Sequence, residues 1–352
     1  MGAALNYRQL LALFAAMGNS LVTVTARGVA LAPCMSSQLS PAELMQAELN
    51  LLNHSEKVAW MQHRMDSKGF VREGLKLELK DPTMMPIQCK GRYGIQSGLT
   101  NSAKKWVKMA LKRGWIEKIE YSEDPFISPH FFKVKEGRFD EDGDPLVRPL
   151  ADMSLTTAAL KSVGYYAFAM ADFVSFIAAI PSGTRFFIPR DLESAFNYTM
   201  LHEGSRKYCA VWIMGELYWY CVCVQGLGNS ANFFNAQLDH AYNAIFDLNW
   251  HVFWIKWVDD HCVTGGNFNE TVLRGEILDA ALDVLGYPVS DKTPNVPKEV
   301  GEIAGLSITA EGIMLNEEAV ESVKLALSTI PKTLTECRTM IGSALYAHTA
   351  FK

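Results

Sequence analysis

The chain has 352 residues, 49% of them hydrophobic, with 33 Lys and Arg against 38 Asp and Glu and a net charge of −5. That length and apolar content support a large core divided among two or three subdomains, and they exclude a chain dominated by a disordered tail. The net charge argues against a generic polyanion binder, yet residues 62–118 hold 13 Lys and Arg against 5 Asp and Glu, a local balance of +8 that suits a phosphate-following surface or a solvated helix face.

Seven cysteines are scattered without a CxxC pair or a Cys/His zinc spacing, which points to reduced thiols in an intracellular protein. The apolar run at residues 10–16 is too short to span a bilayer, and only Arg8 precedes it, so no membrane attachment is expected.

In chain order, residues 1–39 read as a connector. Ser40-Pro41-Ala42-Glu43 is a capping box with Pro at the first helical position, which predicts a helix running toward Met65. A second helix is predicted from about Ser102 to Arg113, ending at Gly114, with Trp106 and Ala110, and Val107 and Leu111, at four-residue spacing. Residues 130–135 and 146–152 form a predicted hairpin around the acidic turn Asp140-Glu141-Asp142-Gly143-Asp144-Pro145, which lacks the bidentate Glu of a calcium loop and reads as a solvated turn. Residues 160–182 are apolar and carry no clear period.

Phe186-Phe187-Ile188-Pro189-Arg190-Asp191 reads as a strand ending near Asp191, with a helix start from Ser194. Residues 208–224 suggest a hairpin broken at Gly215-Glu216. It leads into a glycine-bearing loop, Gln225-Gly226-Leu227-Gly228, and a helix capped by Asn229 or Ser230. The run Val252 to Val258 predicts a buried strand, Asp259-Asp260 a turn, and His261 to Thr264 a second strand; Leu278, Ala281, Leu282 and Leu285 mark a helix stopped by Gly286.

Adjacent carboxylates beside an apolar sheet are costly unless a cation neutralises them, although Asp is also an ordinary turn residue. A third carboxylate, Asp191, stands at another predicted strand end. Such a set can converge on divalent ions, because Mg²⁺ prefers oxygen ligands and two ions about 4 Å apart can serve both the attacking and the leaving oxygen of a phosphoryl transfer. The order strand, helix, two-acid hairpin, helix, strand fits a split βαβ sheet covered by helices on one face.

Taken together, the ordered motifs resemble reverse transcriptases of long-terminal-repeat retrotransposons, of the gypsy and retroviral type, over residues 75–351. Asp191 to Phe196 is similar to the first catalytic motif of that family, Gln225 to Phe234 to its nucleotide-binding loop and helix, and Trp257-Val258-Asp259-Asp260 to its YxDD box. Leu285 to Lys292 is similar to the fourth motif, and Ala304-Gly305-Leu306 with Gly312-Ile313 to the primer-gripping hairpin. Pro331 onward is similar to the helix opening the thumb or connection, and Gly114 to Glu117 with Ser128 to Gly137 to the fingers.

The resemblance implies an α+β right-hand polymerase with fingers, a ferredoxin-like palm and the start of a thumb or connection: 1–74 an N-terminal connector with a helix, 75–183 mainly fingers, 184–315 mainly palm, 316–352 the start of the thumb. It implies RNA-directed DNA polymerase activity on an RNA or DNA template-primer with dNTPs. Asp191, Asp259 and Asp260 would bind two Mg²⁺, with Mn²⁺ as a substitute and the carbonyl of Leu192 assisting. Lys135, Arg148, Phe196, Gln225, Val258 and Lys292 would contact the nucleotide, and Gly305 and Leu306 the primer. Phe196 would exclude a ribose 2′-hydroxyl by steric clash; ordinary core packing is its plainer role, and a loop-stabilising hydrogen bond that of Gln225.

The chain departs from the family pattern at Trp257, in place of Tyr, at Met153 to Thr156, and in its acidic fingertip. No RNase H or integrase segment follows Lys352, which leads to the expectation of a polyprotein fragment, a truncated element or a decayed copy, intracellular and located in cytoplasm or virus-like particles. The alternatives are an RNA-directed RNA polymerase and a retroelement remnant that binds nucleic acid without extending it.

Overall fold

A computed structural model describes residues 23–25, 28–30, 40–89, 94–162, 180, 182–247, 250–290, 293, 295–328 and 330–350. Most of the predicted connector 1–39, most of the apolar stretch 160–182, and Lys292 lie outside them. The elements in chain order are β1 (Thr23–Thr25), β2 (Gly28–Ala30), α1 (Pro41–Asn50), α2 (His54–Ser67), α3 (Thr100–Lys112), β3 (Ile116–Lys118), β4 (Ile127–Ser128), β5 (His130–Phe139), β6 (Pro145–Ala151) and α4 (Ser154–Ala159). They continue with β7 (Phe186–Asp191), β8 (Ala210–Ile213), β9 (Glu216–Tyr220), α5 (Gly228–Phe246), β10 (Trp254–Trp257), β11 (Asp260–Gly265) and α6 (Phe268–Val284). Last come β12 (Gly301–Ile303), β13 (Leu306–Thr309), β14 (Gly312–Leu315), α7 (Glu317–Ser328) and α8 (Leu334–Ala350). The architecture is α+β. Among the described residues no helix is long and apolar enough to cross a membrane.

Two compact units emerge, each discontinuous in sequence: one of Met1–Phe70, Phe168–Glu193 and Asp239–Lys352, the other of Val71–Ala167 and Ser194–Leu238. The second unit holds the sheet β3-β9-β8-β4 and the hairpin β5-β6. β8 and β9 join through Met214 and Gly215, both at positive φ, which is the two-residue turn whose twist matches flanking strands. Trp106, Ala110 and Ala103 of α3 enter this unit's core with Trp115, Phe126, Phe132 and Tyr220, whereas Leu111 is exposed. The acidic turn after β5 is more than a solvated turn: Asp140, Asp142 and Asp144 all lie 2.6–2.7 Å from the Lys105 ammonium on α3, which holds its proton more tightly for having them as hydrogen-bond partners.

In the first unit the sheet β10-β11-β7 is antiparallel throughout, and the small sheet β12-β13-β14 packs beside it. Side chains alternate across a strand, so each strand presents two faces. One face, with Ile188 and Phe186, meets Gly275 and Phe268 of α6. The other, with Phe187, Ile255 and Cys262, packs on Ile303, Leu306 and Ile308 of the small sheet.

The single N-terminal helix read from the sequence is two helices. A second capping box, in which Asn53 and Glu56 bond each other's backbone N–H, restarts the chain after Asn50. Both helices lie on α6, where Arg274 Nε donates to Gln46 at 3.1 Å and His54 meets Asp283 at 3.1 Å.

Candidate active site

The acids are positioned by strand register. β7 and β11 pair so that Asp191 stands directly opposite Asp260, and Trp257 stands opposite Asp260 across the β10–β11 hairpin. Directly paired residues share a face with Cα atoms about 4.5–5.5 Å apart. Val258 and Asp259 are the two central residues of that hairpin, with φ of 54° at Val258. A β-branched residue at positive φ is a true outlier, held there by its surroundings.

The backbone of Asp191 is fixed on both sides: its carbonyl accepts from Ser290 N–H at 2.8 Å, and its N–H meets Thr293 Oγ1 at 3.4 Å. Leu192 is buried and bridges to Val289. After Glu193, Ser194 turns through a positive φ into a short 3₁₀ turn, Ala195–Tyr198, in place of the α-helix expected from Ser194.

Three carboxylates on one sheet edge repel. Burial first, then the charges of Asp259 and Asp191, push the Asp260 carboxyl up to about 6, against a lowering hydrogen bond from the Ala304 backbone N–H. Ala304 and Gly305, both at positive φ, form the turn between β12 and β13, so the expected primer-grip residues Gly305 and Leu306 sit in the hairpin that reaches Asp260. The donors are hard oxygens and suit Mg²⁺ in kind. Among the described residues no group of three or more His, Cys, Asp and Glu side chains is placed so that it could hold a metal ion.

Residues predicted from sequence to contact a nucleotide fall in both units. Val258 lies in the acid hairpin; Lys292 is outside the described residues; the other four belong to the second unit. Arg148 on β6 is exposed and stands opposite Lys133, while Lys135 is half-buried on β5 where the ladder is interrupted between Val134 and Phe139. Phe196 packs edge-on against Phe234 at 5.7 Å. The Gln225 backbone carbonyl accepts from Ala151 N–H at 3.2 Å, so the backbone ties this loop, and among the described residues the buried Gln225 Oε1 has no hydrogen-bond partner. The loop needs glycine at 226, where φ is +115° and an added Cβ would lie 2.0 Å from the Ala151 carbonyl oxygen. The helix that follows begins at Gly228. Asn229 and Ser230 therefore lie in its first turn rather than capping it, and their side chains donate to the Lys161 and Val224 carbonyls.

No protein-family model and no curated protein sequence matches the chain. Solved structures do. A foamy viral protease-reverse transcriptase dRH in complex with double-stranded DNA matches with a TM-score of 0.58 and 18% identity, over 90% of this chain and 52% of that one. The foamy viral protease-reverse transcriptase in complex with an RNA/DNA hybrid matches at 0.57 and 18% identity, over 93% and 41%. Its complex with double-stranded DNA matches at 0.55 and 18% identity, over 93% and 64%. The fold is that of a retroviral reverse transcriptase. The chain spans between 41% and 64% of the length of those proteins.

Sequence reasoning overlooked a second polar row in this unit. In the row next to Asp191, Asp260 and Trp257, the residues Lys256, His261 and Arg190 stand in register on the helix-facing side of β10, β11 and β7, and all three are buried. Lys256 lies 3.1 Å from Asp239, and Arg190 forks onto Asp279 at 2.8 and 3.1 Å. Burial pushes the Lys256 ammonium down, opposed by Asp239; burial and Lys256 push His261 down to about 3, so the imidazole is neutral. The available signal was parity: each of these residues is the immediate neighbour of a residue in the Asp191, Trp257, Asp260 row, and so faces the other way.

Proposed function

We propose that the chain is an RNA-directed DNA polymerase that extends a primer on an RNA or DNA template, of long-terminal-repeat retroelement origin. The observation that carries the reading is the cross-strand pairing of Asp191 with Asp260, with Asp259 on the adjoining turn, in a reverse-transcriptase fold. Asp191, Asp259 and Asp260 would hold two Mg²⁺, with Leu192 contributing through its backbone. Bound there, the ions activate an attacking hydroxyl and stabilise a leaving oxygen.

The chain's own contribution is position and charge. The primer 3′-hydroxyl would give up its proton to water and form a bond to the nucleotide α-phosphorus as the bond to pyrophosphate breaks; the acids supply negative charge where cations must sit, and the Ala304 N–H keeps Asp260 in place. Lys135 and Arg148 would bind the triphosphate, as would Lys292. Phe196 would lie against the sugar with Gln225, whose Oε1 meets no donor among the described residues and could accept one from the nucleotide.

A second reading is a chain that binds template-primer without extending it. Primer extension on an RNA template with dNTPs and Mg²⁺ decides between them. Extension by the wild type, lost in Asp259→Asn, supports the polymerase. Template-primer binding without extension by the wild type supports the second reading. Extension that survives the substitution sinks the metal assignment. Extension with ribonucleotides in preference to deoxynucleotides would replace the reading with an RNA-directed RNA polymerase. Binding should also weaken with salt, since phosphate contacts release counterions.

A further inference from the structure

Lys256 and Arg190 bond acids on α5 and α6, side chain to side chain. His261 differs because it also reaches the acid hairpin. Its Nδ1 lies 3.1 Å from the Asp259 carbonyl, and its Nε2 lies 2.9 Å from the Tyr242 hydroxyl of α5. A carbonyl can only accept, so Nδ1 carries the proton; Nε2 is then an acceptor, and the Tyr242 hydroxyl donates to it. Donation therefore runs in one direction, from helix through imidazole to the peptide joining Asp259 to Asp260.

That peptide has reason to be held. In a two-residue hairpin turn the ladder closes between the flanking residues, here Trp257 and Asp260, and the carbonyl of the second central residue takes no part in it. The preceding residue, Val258, sits at a φ of 54° that its branched side chain disfavours, so rotation about this turn relieves local crowding. A buried donor on the Asp259 carbonyl opposes that rotation. Tyr242 and His261 are both buried and their rings meet edge-to-face at 6.0 Å, which leaves the imidazole little freedom to turn away.

We propose that Tyr242 and His261 form a positioning dyad that fixes the Asp259–Asp260 peptide, and with it the direction of the Asp259 carboxylate. The inference rests on the reading of Asp191, Asp259 and Asp260 as metal-binding acids. Neither residue of the dyad touches substrate; both act through Asp259.

Three variants separate the bonds. Tyr242→Phe removes only the hydroxyl. His261→Asn leaves an amide N–H where Nδ1 stood and so keeps the donor to the Asp259 carbonyl. His261→Gln carries its amide beyond that position and loses it. Mn²⁺ affinity is measured by electron paramagnetic resonance without nucleotide, half-saturating Mg²⁺ by primer extension, folding by thermal melts, and the His261 tautomer by ¹⁵N NMR. The expected result is a protonated Nδ1 and a bare Nε2. His261→Gln and Tyr242→Phe should weaken Mn²⁺ binding and raise half-saturating Mg²⁺ about tenfold, the size of losses at groups that orient metal ligands. His261→Asn should stay near wild type in both.

Wild-type metal affinity in His261→Gln and Tyr242→Phe, an Nε2–H tautomer, or a His261→Asn variant as weak as His261→Gln overturns the dyad. Asp259→Asn is the control beneath it: unchanged Mn²⁺ affinity in that variant overturns the metal reading itself, while the tautomer still tests the hydrogen bonds.

Discussion

Replacing Asp260 with Asn should stabilise the folded chain while removing a group on which the proposed chemistry depends. Asp260 is pushed from 3.8 up to about 6 by burial and by Asp259 and Asp191. Its folded form therefore binds a proton more tightly than its unfolded form, so stability falls as pH rises from about 4 to about 6 and stays lowered above that. At about 1.4 kcal/mol per unit the shift has a ceiling of about 3 kcal/mol, which partial exposure reduces to about 1–2 kcal/mol. Asn carries no charge, and its Oδ1 can still accept the Ala304 N–H. In EDTA at pH 8, Asp260→Asn should melt higher than wild type by about 2–6 °C, and at pH 4.5 the gain should shrink to about a third. Added Mg²⁺ should raise the wild-type melting temperature and leave the variant unmoved. Equal or lower stability of the variant at pH 8, or a gain undiminished at pH 4.5, refutes the argument that these acids repel.

Two further outcomes follow from the second unit. Gly226→Ala should destabilise by about 2–4 kcal/mol in urea melts, because φ of +115° disfavours a side chain and the new Cβ would lie 2.0 Å from a backbone oxygen that cannot swing aside; Gly143→Ala, at φ +80° with nothing within 4 Å, should cost less. Lys105→Met should leave Asp140, Asp142 and Asp144 facing one another without their shared cation, and an Asp-specific protease should then cut the β5–β6 turn faster than in wild type while cutting elsewhere is unchanged.

Strand content and the acid hairpin were legible because they rest on local signals. Apolar runs of aromatic and branched residues marked β7, β10 and β11, and Gly286 and Gly114 closed helices where expected. The convergence of the three acids was suggested by their strand ends, but the facing of Asp191 and Asp260 was not readable, since register is a property of pairing and not of either strand alone. The same gap hid the Lys256, His261 and Arg190 row: their parity was readable, but a buried imidazole and a buried guanidinium become meaningful only when Tyr242 and Asp279 arrive from helices. The break between α1 and α2 was readable in Asn53 and Glu56, a capping box masked by the apolar spacing on either side. The Lys105 cluster was not readable, because Lys105 lies 35 positions from Asp140 and 37 from Asp142.

The N-terminal helices and α6 belong to one unit, and their bonds join residues far apart in sequence: His54 with Asp283, separated by 229 positions, and Arg274 with Gln46, separated by 228. On a ribosome adding about 5–20 residues per second, α1 and α2 would emerge about 10–45 s before the surface that receives them exists. Loop closure over that distance carries a large entropic cost, so these helices are expected to dock late in folding. Their apolar faces are meanwhile a target for holdase chaperones, and pulse-labelled hydrogen exchange should find Ala47 and Met61 amides protected after those of β8 and β9.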